Sequence, residues 1–256
     1  MNDLVSIIMP SYNGEMYIGL AIEAIIGQTY KNWELLITDD CSNDNTAQVV
    51  ESYAAKENRI KLFKLRKNSG PGVARNNSIK EARGRYLAFC DSDDRWLPTK
   101  LEQQISLLDR KNADCCYGAY YECDVEGNRV SILHVRPSLS FRQEKHANQI
   151  GMLTGIYDST RVGKVFMPTI RKRQDWAMWL YVLEKSQSAV GIIEPIAEYQ
   201  IRNDSVSRNK KSLIKYNAAI YKEVFNYPIW FAYLYTLFVN IPTILYKRIK
   251  MVETLK

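Results

Sequence analysis

Short apolar runs alternate with helix-period segments through the first hundred residues, and this alternation restricts the fold more than any other feature of the chain. "LVSIIM" (4–9), "WELLIT" (33–38), "IKLFKL" (60–65) and "YLAFC" (86–90) are rich in branched and aromatic side chains, the pattern of strands buried on both faces. Between the first two, "EMYIGLAIEAIIGQ" places Ile18, Ala21, Ile22, Ile25 and Ile26 at i, i+3, i+4, i+7 and i+8, the one-sided stripe of an amphipathic helix. "NTAQVVESYAAK" follows the second run, with Asp44 or Asn45 as its cap, and "GVARNNSIKEA" follows the third. Four rounds of strand and helix predict an α/β fold of right-handed βαβ units, with a mostly parallel central sheet covered by helices on both faces.

In an open parallel sheet, ligands bind in the crevice beyond the carboxyl ends of the strands. Asp39-Asp40 closes the second run, Asp91-Ser92-Asp93-Asp94 closes the fourth, and "PSYN" (Pro10 to Asn13) leaves the first at the same edge. Asp and Asn are good turn formers, so either acidic pair alone would read as a cap. Two acidic clusters on one edge, with a tyrosine able to stack on a base, point to a ligand site. Three carboxylates within four positions repel one another and call for a cation. In an extended segment Asp91 and Asp93 would address one ligand while Asp94 turns elsewhere. There are only two histidines, His134 and His146, and the five cysteines (Cys41, Cys90, Cys115, Cys116, Cys123) lack CxxC spacing. Any metal is therefore expected on oxygen ligands, which means Mg²⁺ or Mn²⁺. The cysteines read as buried reduced thiols of a cytosolic protein. The first strand–helix turn, "PSYNGEMY", has no GxGxxG, which argues against a dinucleotide-binding dehydrogenase.

The net charge is +7, and its location is informative. From Arg208 to Lys256 there are nine Lys and Arg against two Glu, so this segment carries the whole excess. The charges flank "VFNYPIWFAYLYTLFVNIPTILY" (224–246), which has none. Tyr227, Trp230, Tyr233, Tyr235 and Tyr246 suit a membrane–water interface, with "KRIK" behind them as an anchor to anionic lipid, rather than nucleic acid. A span needs about 20 apolar residues, so the length would just suffice; Asn240, Pro242 and the tyrosines favour interfacial helices. "MNDLVSIIMP" has an early acid and too short an apolar run for a signal peptide.

The stretches "VSIIMPSYNGEMYIGLAIEAIIGQTYKNWELLITDDCSNDNT" and "NSGPGVARNNSIKEARGRYLAFCDSDDRWLPTKLEQQI" resemble the nucleotide-sugar-binding half of family 2 glycosyltransferases, which have the GT-A fold. "IRKRQDWAMWLYVLEK" (170–185) resembles the family's acceptor-side motif, with Gln174 where a Glu often stands. "GMLTGIYDSTRVGKVFMPTIRKRQDWAMWL" further resembles bacterial enzymes that build O-antigen repeat units on lipid carriers. The organisation expected is a GT-A domain over 1–207, with a nucleotide-sugar half (1–110) and an acceptor half (111–207), followed by a basic, aromatic helical segment over 208–256.

The resemblance implies site residues. For a UDP-sugar, Asp40 is expected to contact uracil and Tyr12 to stack on it, with Pro10 and Asn13 in the loop that shapes the pocket. Asp91 belongs to the same acidic loop; of Asp93 and Asp94, one is expected to hold Mn²⁺ or Mg²⁺ and the other the ribose. Arg75 is placed to reach the diphosphate or, equally, to be a solvated helix arginine. Asp175 is expected to be the base that takes the acceptor hydroxyl's proton, although opening a helix it would also serve as an N-cap. One base and no evident nucleophile imply a single displacement with inversion. Arg171, Lys172 and Arg173 form a basic step suited to an acceptor diphosphate. Arg202 stands where many relatives have a His, so it is expected to pair with a phosphate instead of a metal. The function implied is transfer of glucose or galactose from a UDP-sugar to GlcNAc- or GalNAc-diphospho-undecaprenol, by a peripheral enzyme on the cytoplasmic face of the bacterial inner membrane. The alternative is a noncatalytic nucleotide-sugar-binding or membrane-associated scaffold.

Overall fold

The structure, a computed structural model, describes residues 3–170, 172–201 and 210–255, with the side chains of 210–213 left aside. The expected alternation is present: β1 (Val5–Ser11), α1 (Ile18–Ile26), β2 (Trp33–Asp39), α2 (Thr46–Ala54), β3 (Ile60–Lys64), α3 (Pro71–Glu81) and β4 (Tyr86–Phe89). There follow β5 (Arg95–Trp96), α4 (Lys100–Lys111), β6 (Cys115–Cys123), β7 (Arg129–Leu133), α5 (Phe141–His146), β8 (Ile156–Asp158), α6 (Ser159–Val162), α7 (Gln174–Lys185) and β9 (Ala189–Gln200). The chain closes with α8 (Lys210–Phe225), α9 (Ile229–Tyr235), a π turn (Thr236–Asn240), α10 (Ile241–Met251) and β10 (Val252–Thr254).

The sheet runs β3-β2-β1-β4-β8-β6-β7-β10. Strands β3, β2, β1 and β4 are parallel. Beyond them β8 is antiparallel to β4 and β6, and β9 lies parallel to β6 while pairing with β5. Each central strand is apolar on both faces. Val5, Ile7 and Met9 enter one core with Leu35, Ile37 and Ala88, whereas Ile8, Leu36, Leu87 and Phe89 enter the other. That period-two division explains why the runs read as continuous. The chain lays β2 and β3 on one side of β1 and then places β4 on the other. The strand order therefore reverses at β1, and its carboxyl end opens a crevice. Pro10 sits at the end of β1, where the ladder to β4 has already stopped at Ile8, so its missing N–H leaves no gap there.

A third core joins the tail to the domain. Trp176, Ala177 and Leu180 of α7 pack with Ala218, Ile220 and Tyr221 of α8 and Ala232 of α9. Trp176 meets Tyr221 edge to face at 5.6 Å. The π turn brings Asn240 inward, where its amide donates to the His146 carbonyl at 2.8 Å and accepts from Asn217 at 2.7 Å. After α10 the chain returns to the sheet, where β10 pairs antiparallel with β7. All five cysteines are free and four are buried; Cys41 is half-exposed, in a left-handed conformation. At α2 the side chain that accepts the first free N–H is that of Asp44, from Thr46 at 3.0 Å, while Asn45 occupies the cap position without a side-chain bond.

Candidate active site

The carboxyl ends of β1, β2 and β4 gather the nucleotide-side residues. Asn13 has φ 47°, a left-handed conformation that Asn tolerates. Its N–H donates to Ser42 Oγ and its side-chain oxygen accepts from Asn43 N–H, both at 2.9 Å, which ties the loop after β1 to the loop after β2. Tyr12 stands beside this junction, 47% exposed, with its ring free to meet a flat ligand. Asp40 is buried, and its two oxygens accept the N–H groups of Ser69 and Gly70 at 2.7 Å each. It thereby holds the start of α3, where Gly70 takes φ 91° and Pro71 opens the helix.

Arg75, one turn into α3, is buried and hydrogen-bonds through Nη2 to Asp91 Oδ1. It is an ion-paired arginine at the edge of the acidic loop, and the solvated alternative does not hold. The loop itself differs from the extended segment expected. Asp94 N–H donates to the Asp91 carbonyl at 3.1 Å, closing a turn, so Asp94 folds inward and lines the same cavity as Asp91. The alternation argument fails because a strand period does not survive a turn. Asp94 is buried and its Oδ1 has no hydrogen-bond partner. Burial, and then the charges of Asp91 and Asp93, hold its carboxyl well above the usual range, against the Gln200 N–H and Arg75.

On the facing side, two close approaches fix α7. A Cβ on Gly155 would fall 2.1 Å from the Trp179 ring, and one on Gly72 would fall 2.7 Å from the Gln174 amide. The first seats α7 on the sheet, and the second seats its N-terminus on α3. The N-cap is Arg173, left-handed at φ 67° and without a side-chain cap bond. Asp175 is therefore not the cap; its Oδ2 accepts from Asn148 Nδ2 at 3.0 Å. Asp175, Asn148, Asp91 and Asp94 open onto one cavity of about 630 Å³, within the range of small-molecule sites. Tyr120 and Glu122 of β6, Tyr199 of β9, and Ile244, Lys247 and Arg248 of α10 complete much of its wall.

The model of Glycosyl transferase family 2 matches residues 6–165, which run from β1 past the acidic turn. The chain belongs to glycosyltransferase family 2. It is 37% identical over 222 residues to the putative teichuronic acid biosynthesis glycosyltransferase TuaG of Bacillus subtilis, covering 86% of this chain and 88% of that protein. It is 37% identical over 214 residues to the UDP-Glc:alpha-D-GlcNAc-diphosphoundecaprenol beta-1,3-glucosyltransferase WfgD of Escherichia coli, covering 83% of each. Among solved structures, S. aureus TarS 1-349 in complex with UDP-GlcNAc superposes with a TM-score of 0.72 at 22% identity, over 87% of this chain and 66% of that one. The mannosyltransferase PcManGT from Pyrobaculum calidifontis, in complex with GDP-Man and Mn²⁺, superposes with a TM-score of 0.66 at 16% identity. These likenesses establish the GT-A fold expected from the sequence.

The acidic turn of this family 2 enzyme fits a divalent cation. Asp94 carries a buried, unpartnered oxygen and is crowded by two further carboxylates, and a cation would remove both penalties. Among the described residues no three His, Cys, Asp or Glu side chains are arranged to hold an ion unaided. Of the expected site residues, Asp91, Asp94, Arg173 and Asp175 line one cavity, Asp93 lies in the same turn, and Pro10, Tyr12, Asn13, Asp40 and Arg75 stand at the adjoining strand and helix ends. Arg171 and Arg202 lie outside the described residues.

Several lining residues escape the sequence reading. Asn148 comes from "EKHANQIG", which has no motif, and Glu144 of the same stretch lies behind the wall. Glu144 is buried with Oε1 unpartnered; burial pushes its carboxyl up to about 8, helped by Asp175 and opposed by the Gln149 N–H and Lys247. Lys247 and Arg248 belong to "KRIK", whose charge was visible while its inward placement was not.

Proposed function

We propose that the protein is a metal-dependent, inverting hexosyltransferase that moves glucose or galactose from a UDP-sugar to GlcNAc- or GalNAc-diphospho-undecaprenol during polysaccharide assembly. The observation that carries this reading is that Asp175 and the acidic turn, remote in sequence, face one cavity. WfgD, 37% identical, acts by its name on UDP-Glc and a GlcNAc-diphosphoundecaprenol acceptor, which supports the donor and acceptor classes.

In this mechanism Tyr12 stacks on uracil, while Asp40 and the PSYN loop shape its pocket. Asp93 or Asp94 would hold a divalent cation, which would supply charge neutralisation for the leaving diphosphate, the other of the two aspartates contacts the ribose, and Arg75 lies within reach of the phosphates. Asn148 holds Asp175 through Oδ2, leaving Oδ1 to take the acceptor hydroxyl's proton. The hydroxyl oxygen bonds to the anomeric carbon as the carbon–phosphate oxygen bond breaks, so UDP leaves and the configuration inverts. Residues 1–207 supply the donor-binding groups and the base, and 208–256 complete the cavity wall and keep the enzyme on the cytoplasmic face of the inner membrane.

The membrane contact proposed is peripheral. Ile229–Met251 is long and apolar enough to cross a membrane by length and composition. Yet Ala232, Thr236 and Asn240 are buried on the domain, and both ends are tied to one region, by Lys145 Nζ donating to Tyr227 Oη at 2.8 Å and Lys247 Nζ donating to the Asn148 carbonyl at 2.9 Å. A helix so held lies along the surface with its outer face toward lipid.

The deciding experiment supplies a panel of UDP-sugars with synthetic lipid-diphosphate GlcNAc and GalNAc acceptors and reads the product linkage by NMR. One β-linked hexose from UDP-glucose or UDP-galactose is the expected product. An α linkage, or no transfer from any UDP-sugar, would overturn the assignment.

A further inference from the structure

We propose that Arg173, Lys247 and Arg248 form a diphosphate subsite for the acceptor, so that the tail helix is a wall of the reaction cavity as well as a membrane contact. The inference rests on the lipid-diphosphate acceptor reading above and joins to Arg173 of the basic step two cations of the tail, Lys247 and Arg248, that the reading leaves without a role.

The cavity lining carries both signs of charge: Asp91, Asp94, Glu122 and Asp175, and also Arg173, Lys247 and Arg248. The cations come from two elements: Arg173 precedes the base by two residues, while the others lie on α10, more than seventy residues later in the chain. Among the described residues neither Arg173 nor Arg248 forms an ion pair. Lys247 is half-buried in the cavity wall, and burial together with the like charge of Arg173 lowers its pKa. Glu144 offsets part of this across a distance too long for an ion pair. Among the described residues only one of the three Lys247 donors has a partner, the Asn148 carbonyl. Like charges gathered in a cavity wall without ion-pair partners among the described residues are relieved by a bound anion.

The acceptor diphosphate is the favoured anion because Arg75 and the acidic turn already serve the donor's phosphates in the proposed mechanism. Asn148 and Asn217 also line the cavity, each with a buried amide oxygen lacking a partner, and such acceptors suit sugar hydroxyls. An acceptor spanning these groups would present its hydroxyl to Asp175 while its diphosphate rests on the cations. Lipid headgroups could supply the same phosphate chemistry to Lys247 and Arg248. Arg173, beside the base and off the tail, is not accounted for by a headgroup.

The test uses detergent solution without a bilayer. The probes are a GlcNAc diphosphate bearing a short alkyl chain and the neutral alkyl GlcNAc glycoside. Arg248→Gln and Lys247→Gln are each expected to raise KM for the diphosphate probe about tenfold, the loss of one charge-assisted hydrogen bond. KM for the UDP-sugar stays within about twofold, Arg248→Lys recovers most of the loss, and turnover of the neutral glycoside falls no further. Thermal melting reports whether Lys247→Gln loosens the tail; Arg248 is exposed and carries the test alone if it does. Wild-type KM for the diphosphate probe in Arg248→Gln, or equal losses on both probes, overturns the subsite. A loss seen only with anionic vesicles assigns the cations to headgroups and overturns it too. If the unaltered enzyme transfers to neither the diphosphate probe nor the natural acceptor, the broader functional reading has failed instead.

Discussion

At the scale of single residues, the proposed chemistry turns on Asp175 and on what holds it. A carboxylate bonded at Oδ2 by Asn148 has one oxygen left to receive a proton. Asp175→Asn keeps the shape and removes the base, so kcat should fall about 10²- to 10⁴-fold, with the thermal shift on adding UDP and Mn²⁺ retained. Transfer at the normal rate would favour the scaffold reading. Lys100 provides a separate test of the core. It is fully buried, donates to Gln104 Oε1 at 2.7 Å and lies 3.7 Å from the Trp96 ring centroid. Burial pushes its pKa down to about 7. The unfolded chain holds that proton up to its ordinary pKa near 10.4, so between these values the unfolded state binds more protons and stability rises with pH. Above about 8.5 the buried thiols act oppositely, because unfolding releases their protons. Lys100 should therefore contribute at most about 2 kcal/mol of rising stability between pH 7 and about 8.5, opposed up to about pH 8 by the Glu144 carboxyl, which keeps its proton only in the fold, and Lys100→Met should remove that rising contribution in denaturant titrations.

At the scale of elements, the site depends on how α7 is seated. Gly155→Ala would drive a methyl into the Trp179 ring in the core, where neither backbone nor indole can give way. Overpacking of this kind costs about 1–3 kcal/mol, and the melting temperature should drop by roughly 5 °C. Gly72→Ala meets the end of the Gln174 side chain, which can swing aside. It should cost under about 1 kcal/mol yet lower kcat, because Gln174 gives up its bond to the Ile170 carbonyl and the first turn of α7 loosens beside Asp175. If both variants lose only stability, in proportion, this positioning role is wrong. The same elements show what the sequence carries. β1 to β4 and their helices were legible because apolar period is a local signal that burial on two faces enforces. So were the strand-end clusters, since parallel strands bring their carboxyl ends to one edge. The inward turn of Asp94 was not, because turn and strand share the same residues there. Asn148 and Lys247 were not either, because their meeting with α7 is made by packing between segments a hundred residues apart, for which no spacing rule exists.

At the scale of the whole molecule, one helix has two faces with different duties. Its buried stripe completes the core over α7 and part of the cavity wall, while Trp230, Phe238 and Ile249 stand 64%, 75% and 76% exposed. Deleting the tail would strip α7 and the cavity together with any lipid contact, so loss of activity in such a truncation could not be ascribed to the membrane. Replacing Trp230, Phe238 and Ile249 by Ser leaves the inner stripe in place. Fully burying a large apolar side chain is worth about 1.5–3 kcal/mol, and even partial immersion of three should make the unaltered protein bind anionic vesicles at least tenfold more tightly than the triple variant. The melting temperature should stay within about 2 °C, since none of the three packs in the domain. An in-plane helix should also leave vesicles in alkaline carbonate, whereas a span would resist it. Retention after that wash would mean that the helix spans the bilayer, whereas sedimentation of the triple variant equal to that of the unaltered protein would mean the outer face meets something other than a lipid surface.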